Sequence, residues 1–108
     1  VGDFGKNAYT LVDQLKKSDI KFWQILPLNP LAYGNSPYQP YSSYAGDELY
    51  IDLEGLAADG LLEKKELKTF NKMAQTVEYE TVRVHKEELL RLAYSRFEFN
   101  DDFKQFVE

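Results

Sequence analysis

The sequence has no cysteine and no long apolar run. Without cysteine the chain cannot form disulfides, thiolate metal sites or a cysteine nucleophile. A membrane-spanning helix needs a run of about 18 or more apolar residues, so no membrane partner is predicted. No signal peptide is recognisable, but the chain begins with Val1 instead of Met, as a piece cut from a longer chain would.

Positive charge is scarce, with 13 Lys and Arg against 18 Asp and Glu and a net charge of −5. Nucleic-acid-binding proteins carry a basic surface, so no nucleic-acid partner is predicted. His85 is the only histidine and offers no metal-ligand spacing, which favours a structural or solvent-facing role. Ser36 and Ser43 have no nearby base, so nucleophilic serine catalysis is unsupported. Gly2 and Gly5 fall short of a phosphate-binding glycine pattern.

What the chain has in abundance is aromatic residues. At 108 residues it is one small domain at most, and its 44% hydrophobic and 29% charged residues are ordinary for a globular chain. Aromatic residues make up 15%, with eight Tyr, seven Phe and one Trp. Such rings suit flat, partly apolar ligands such as sugars, but they also fill cores.

A helix and a strand are predicted first. Asp3 is placed to cap a helix in which apolar residues recur at three- and four-residue spacing. These residues are Phe4, Ala8, Leu11, Val12 and Leu15. Residues 21–28 form a nearly continuous apolar run stopped by Pro27 and Pro30, which predicts a strand buried on both faces. A helix followed by such a strand indicates an α/β fold with a parallel sheet.

Residues 29–50, which we call the tyrosine loop, hold five of the eight tyrosines and three of the four prolines. Proline, glycine, asparagine and serine in this stretch favour a fixed but irregular loop. A loop of roughly twenty residues without regular structure is uncommon in a compact domain and is more often functional when it occurs. Two interpretations of its tyrosines are equally weighted: a sugar-binding surface, or rings that plug the loop onto the body.

The remainder is predicted to be mainly helical. Asp52 is expected to cap a helix over 53–59 that ends at Gly60. An amphipathic helix is expected over 63–74, a strand or extended link over 77–84, and another helix over 86–99. The apolar positions of these two helices are Leu67, Phe70, Ala74, Leu89, Leu90, Ala93, Tyr94 and Phe97.

A retaining glycoside mechanism needs two carboxyls about 5 Å apart, which makes the acidic residues of this chain candidates. Asp47 and Glu48 are sequence neighbours that point to opposite faces of an extended chain, which favours solvated loop acids. Asp52 ends an extended segment, where barrel enzymes often place catalytic groups, but a helix cap is favoured. The pair Asp101 and Asp102 is interpreted as solubilising.

The tyrosine loop and its flanks carry a family resemblance. The runs Phe22–Pro30 (FWQILPLNP), Tyr33–Gln39 (YGNSPYQ), Ser43–Gly46 (SYAG) and Ile51–Leu53 (IDL) strongly resemble the 4-α-glucanotransferases, the amylomaltase or disproportionating-enzyme family. The opening GDFG and the helical KEELLR run at Lys86–Arg91 match the family in the same order. The resemblance therefore covers nearly the whole chain.

The resemblance implies that this chain is the N-terminal portion of a (β/α)8 barrel with part of an inserted helical region, not a complete barrel. A barrel needs roughly 250 residues. Residues 1–28 would be a helix and a buried barrel strand, 29–53 the substrate-binding loop, and 54–108 a mainly helical insertion.

The same resemblance implies a retaining, double-displacement transfer of α-1,4-glucan segments between maltooligosaccharides in the cytoplasm. Ser36 and Tyr38 would contact glucose units on the donor side, and Tyr33 a more remote glucan unit. Asn35 stands where many relatives have Asp. The family's catalytic acids lie in motifs absent from this chain, so no catalytic residue is assigned, the chain alone is expected to be inactive, and no cofactor or metal is expected.

Two other hypotheses compete with this one. The chain could be a non-catalytic module that binds glucan or docks a protein through its Tyr- and Pro-rich loop. It could also be only a fragment, in which case the buried-type strand over 22–28 would lack both of its neighbours and favour self-association.

Overall fold

The structure, a computed structural model, describes residues 2–67 and 76–108. These residues form five helices and two short 3-10 turns, at Tyr33–Asn35 and Glu48–Tyr50. The helices are α1 (Lys6–Lys17), α2 (Leu53–Ala58), α3 (Lys64–Leu67), α4 (Tyr79–Arg96) and α5 (Asp101–Val107). Within the same ranges the only β-type pairing is an isolated antiparallel bridge between Leu31 and Pro40. None of the helices described is long and apolar enough to cross a membrane.

The predicted first helix is confirmed, but its cap is not. α1 begins at Lys6 after Gly5, which provides no side-chain cap. Asp3 instead accepts a hydrogen bond from the Gly5 amide at 3.1 Å, within the turn that precedes the helix. The prediction of an Asp3 cap is therefore wrong, because the carboxylate lies two residues before the N-cap position and binds the amide of Gly5.

The strand predicted over 21–28 is not formed in the described part of the chain, which leaves the α/β expectation without its strand. The segment is irregular, and Phe22 is 91% exposed instead of buried. A strand buried on both faces needs neighbours on both edges to satisfy its backbone N–H and C=O groups. No neighbouring strand is present among residues 2–67 and 76–108 to supply them.

The predicted helix α2 and its cap are confirmed, although the helix ends at Ala58, one residue before the predicted end. Asp52 accepts hydrogen bonds from the amides of Glu54 at 3.2 Å and Gly55 at 3.0 Å, so it is the helix N-cap. At the other end Gly60 has φ of +81°, a left-handed conformation that glycine adopts without steric cost.

The C-terminal half differs from the prediction in several bounds. Of the helix expected over 63–74, the structure has α3; residues 68–75, including Phe70 and Ala74, lie outside the described residues. The extended link expected over 77–84 is wrong from Tyr79 onward, because α4 starts there, and that helix ends at Arg96. α5 was not predicted; Asn100 caps it by accepting a hydrogen bond from the Phe103 amide at 2.8 Å.

A small leucine-rich core joins α2, α3 and α4. Leu53, Leu62 and Ala93 are buried at its centre. Other apolar side chains pack around them: Leu56, Ala57, Leu61, Leu67, Leu89, Leu90 and Leu92. Tyr94, predicted to belong to the apolar stripe of α4, is exposed instead. The second 3-10 turn packs against α4, so the helical body supports the far end of the tyrosine loop.

Candidate functional site: the tyrosine loop

The tyrosine loop is closed at its base by two hydrogen bonds. The Asp47 amide donates to the Leu28 carbonyl at 2.8 Å. The Asn29 side-chain amide donates to the Ala45 carbonyl, also at 2.8 Å. These bonds bring the two ends of the loop together, as the fixed but irregular loop of the prediction requires.

A tight turn at Tyr33–Asn35 forms the tip of the first half of the loop. Gly34 and Asn35 both have positive φ, at 64° and 54°. Glycine and asparagine are the two residues that enter the left-handed region most readily. Asn35 therefore has a backbone reason to occupy its position, independent of any ligand.

Ser36 and Tyr38 follow directly and are linked locally. The Ser36 hydroxyl accepts a hydrogen bond from the Tyr38 amide at 3.3 Å. The Gln39 amide donates to the Ser36 carbonyl at the same distance. The Ser36 side chain thus fixes the backbone that carries Tyr38.

Four of the five tyrosine rings of the loop face solvent. Tyr33 is 89% exposed and Tyr38 is 72% exposed, while Tyr41 and Tyr44 are exposed as well. The four predicted site residues lie on one continuous stretch of seven residues, from Tyr33 to Gln39. Within the described chain these four rings do not plug the loop onto the body, because plugging would bury them, whereas Tyr50 at the end of the loop is half-buried.

The two aspartates nearest the loop are committed to the backbone. Asp47 is buried, and its carboxylate accepts from the Leu49 amide at 3.0 Å, so the expectation of a solvated loop acid is wrong for this residue. A carboxylate at that position satisfies an amide that would otherwise be unpaired at the start of the 3-10 turn. Glu48 is exposed, as expected, and Asp52 caps α2.

Lys86 is a buried ammonium that the sequence analysis did not single out. Its side chain donates to the Leu49 carbonyl at 2.7 Å, to the Ile51 carbonyl at 3.2 Å and to the Asp3 carboxylate at 3.3 Å. The helical spacing of Lys86 from the apolar residues of α4 indicates that it faces the core. Lys86 stands three residues before Leu89 and seven before Ala93, on the face of α4 that turns to the core.

A second charged cluster lies between α3 and α4, apart from the loop. Arg96 donates to both carboxylate oxygens of Glu66, at 2.9 and 3.0 Å. The hydrogen bonds from Arg96 have the largest effect on the pKa of Glu66, and the hydrogen bond from the Glu63 amide has the second largest. Together they lower this pKa to about 2. The same contact raises the pKa of Arg96, and the hydrogen bond to Glu63 raises that of Lys65. The cluster is structural, because its groups satisfy one another.

No metal site is visible in residues 2–67 and 76–108, where no three His, Cys, Asp or Glu side chains are grouped to hold an ion. His85 lies half-buried on α4.

The chain matches known proteins along its whole length. A family model described as 4-alpha-glucanotransferase matches residues 1–108. The 4-alpha-glucanotransferase of Clostridium butyricum is 41% identical over 112 residues, which cover 100% of this chain and 23% of that protein. That of Aquifex aeolicus is 43% identical over 108 residues, covering 95% of this chain and 22% of that protein.

A plant relative extends the comparison. The 4-alpha-glucanotransferase, chloroplastic/amyloplastic, of Solanum tuberosum is 35% identical over 115 residues, covering 98% of this chain and 20% of that protein. The chain thus spans less than a quarter of the length of these relatives. It belongs to the 4-alpha-glucanotransferase family, a family of (β/α)8 barrels.

Proposed function

We propose that this chain is the N-terminal part of an enzyme that transfers α-1,4-glucan segments between maltooligosaccharides by a retaining, double-displacement mechanism. In this proposal the tyrosine loop supplies donor-side contacts through Ser36 and Tyr38, with Tyr33 and Asn35 at the same tip. The observation that carries it is the exposure of Tyr38 and Tyr33 on a loop whose base is closed by hydrogen bonds. Exposed rings on a fixed backbone provide a rigid apolar face for a sugar at little entropic cost.

The catalytic acids are proposed to lie in the remainder of the barrel. A retaining mechanism requires a carboxylate nucleophile and a carboxylic acid. Asp47 and Asp52, the aspartates that flank the end of the loop, both use their carboxylates to bind backbone amides. The loop would therefore bind and orient the donor, and the reaction would need no cofactor.

The proposal also assigns the segments of the chain. Residues 21–28 would become a barrel strand once the neighbouring strands of the whole protein pair with them, and their exposed apolar side chains support this assignment. Residues 29–53 would be the substrate loop and 54–108 part of a helical insertion. The proposed location is the cytoplasm, although the Solanum tuberosum relative is named chloroplastic/amyloplastic.

Substitution of Tyr38 in the full-length protein tests the donor site, and Tyr9 provides a matched control. Tyr9 lies on α1 and is 71% exposed, nearly the same as Tyr38. Covering about 60 Å² of one ring face at about 25 cal/mol/Å² is worth roughly 1.5 kcal/mol, or about tenfold in kcat/KM. Tyr38→Ala should therefore lower kcat/KM for maltotriose about tenfold, whereas Tyr9→Ala should leave it unchanged.

Product analysis tests the reaction itself. Incubation with maltotriose should release glucose and leave a maltosyl unit on the enzyme, and transfer of that unit to a second maltotriose gives maltopentaose, which is longer than the donor. Release of shorter products alone would show hydrolysis and refute the transferase proposal. Equal kinetics for Tyr38→Ala and the parent protein would remove Tyr38 from the donor site.

A further inference from the structure

We propose that Lys86 is a positioning residue that holds the tyrosine loop in its binding conformation. The inference rests on the proposed function of that loop. It adds a role for a side chain that lies almost forty residues beyond the loop, on α4.

The buried Lys86 ammonium has all of its hydrogen-bond donors satisfied. Lys86 is only 4% exposed, so its charge is removed from water. An ammonium has three N–H donors, and each has an acceptor here: the carbonyls of Leu49 and Ile51 and the carboxylate of Asp3. Burial of a charge is tolerated only when it is paired and hydrogen-bonded, so this geometry depends on all three acceptors staying in place.

Three consecutive backbone carbonyls at the end of the loop accept hydrogen bonds from residues outside it. Lys86 binds those of Leu49 and Ile51, and the Phe4 amide donates to the Tyr50 carbonyl at 3.0 Å. The Phe4 and Tyr50 rings also pack, with centroids 5.6 Å apart. We call these contacts the loop clamp.

The loop clamp is connected to the base of the loop through a single residue, Asp47. Asp47 begins the 3-10 turn that Lys86 holds, since its carboxylate accepts from the Leu49 amide and its carbonyl from the Tyr50 amide. The same residue donates its own amide to Leu28 and closes the loop. Release of the turn would therefore loosen the base from which Ser36 and Tyr38 project.

The expected kinetic result follows from this arrangement. A protein whose binding-competent conformation is populated only in part shows an apparent dissociation constant raised by the inverse of that fraction. In the full-length protein, Lys86→Met should raise KM for maltotriose about fivefold and leave kcat within about twofold, because saturating donor restores the bound loop. A merely structural role would lower kcat through loss of folded enzyme and leave KM unchanged. Lys17→Met, an exposed lysine at the end of α1, is the matched control and should change neither.

Amide hydrogen exchange provides a readout that does not depend on activity. Peptides covering 47–51 should exchange at least fivefold faster in Lys86→Met, while those of α5 stay unchanged; a uniform acceleration would mean global destabilisation and overturn the proposal. Should Lys86→Met fail to fold, Asp3→Asn takes its place, since it removes the carboxylate and leaves both carbonyl acceptors. It should accelerate exchange over 47–51 to a smaller extent, and unchanged exchange would overturn the clamp.

Failure of the loop clamp can be distinguished from failure of the proposed donor site at Tyr38. If Tyr38→Ala raises KM but Lys86→Met alters neither KM nor exchange over 47–51, the clamp is refuted and the donor site stands. If exchange rises in Lys86→Met but neither variant changes KM, the clamp exists and the proposed role of the loop is refuted, and with it the positioning role.

Discussion

Asp52 is the residue for which a cap and a catalytic carboxylate make opposite predictions. Its two carboxylate oxygens accept from the amides of Glu54 and Gly55, which have no partner inside α2. Asp52→Ala removes both acceptors. Loss of an N-cap costs about 0.5–2 kcal/mol, and two bonds favour the upper half of that range, about 1–2 kcal/mol. That cost corresponds to roughly a 5- to 30-fold increase in local opening of α2.

Hydrogen exchange of the peptide over 53–60 in the full-length protein measures this opening. Asp52→Asn keeps one acceptor oxygen, and Asn is nearly as good a cap as Asp, so its exchange should rise less than that of Asp52→Ala. Asp59→Ala is the control, because its exposed side chain lies at the other end of α2, where loss of a negative charge does not weaken the helix.

Activity separates the two roles of Asp52. As a cap, Asp52→Asn should retain transfer within about twofold. As a catalytic acid or base, the same substitution should cost about 100-fold or more. A large loss of activity with unchanged exchange over 53–60 would refute the assignment of Asp52 as a cap alone. Unchanged exchange in Asp52→Ala would refute the magnitude argued from the two hydrogen bonds.

Two further predictions concern Glu66 and Asp19. The pKa of Glu66 is lowered to about 2 from 4.5, so its ion pair with Arg96 should contribute fully to stability above about pH 4.5 and lose that contribution as the pH falls towards 2. Glu66→Gln should lack this pH-dependent contribution when the free energy of unfolding is measured between pH 5 and pH 2. The same pH dependence of unfolding in Glu66→Gln and in the parent protein would contradict the pairing. Asp19 follows α1 with φ of +55°, and its amide and that of Ile20 close the helix end on the carbonyls of Lys16 and Leu15. Asp19→Gly should relieve the strain of this left-handed backbone, stabilise the end of α1 by about 0.5–1 kcal/mol and slow amide hydrogen exchange in the helix. Asp19→Ala should give no such stabilisation. Faster amide exchange in the glycine variant would refute this.

The expectations that held are those set by residues close together in the chain. Asp52 and Gly60 bracket α2 because a carboxylate at an N-cap and a glycine of positive φ at the helix end act within a few residues of their own backbone. The motifs around Tyr33–Gln39 were likewise specific enough to indicate the family, which the comparisons confirmed over the whole chain.

Other features needed partners distant in sequence. The burial of Lys86 depends on Asp3, Leu49 and Ile51, which no local pattern brings together. The start of α4 at Tyr79 overrides the rough alternation over 77–84 that suggested an extended link, because tertiary packing outweighs a local pattern. The run over 21–28 shows the opposite case: its apolar character is written in the sequence, but a strand exists only where other strands accept its hydrogen bonds.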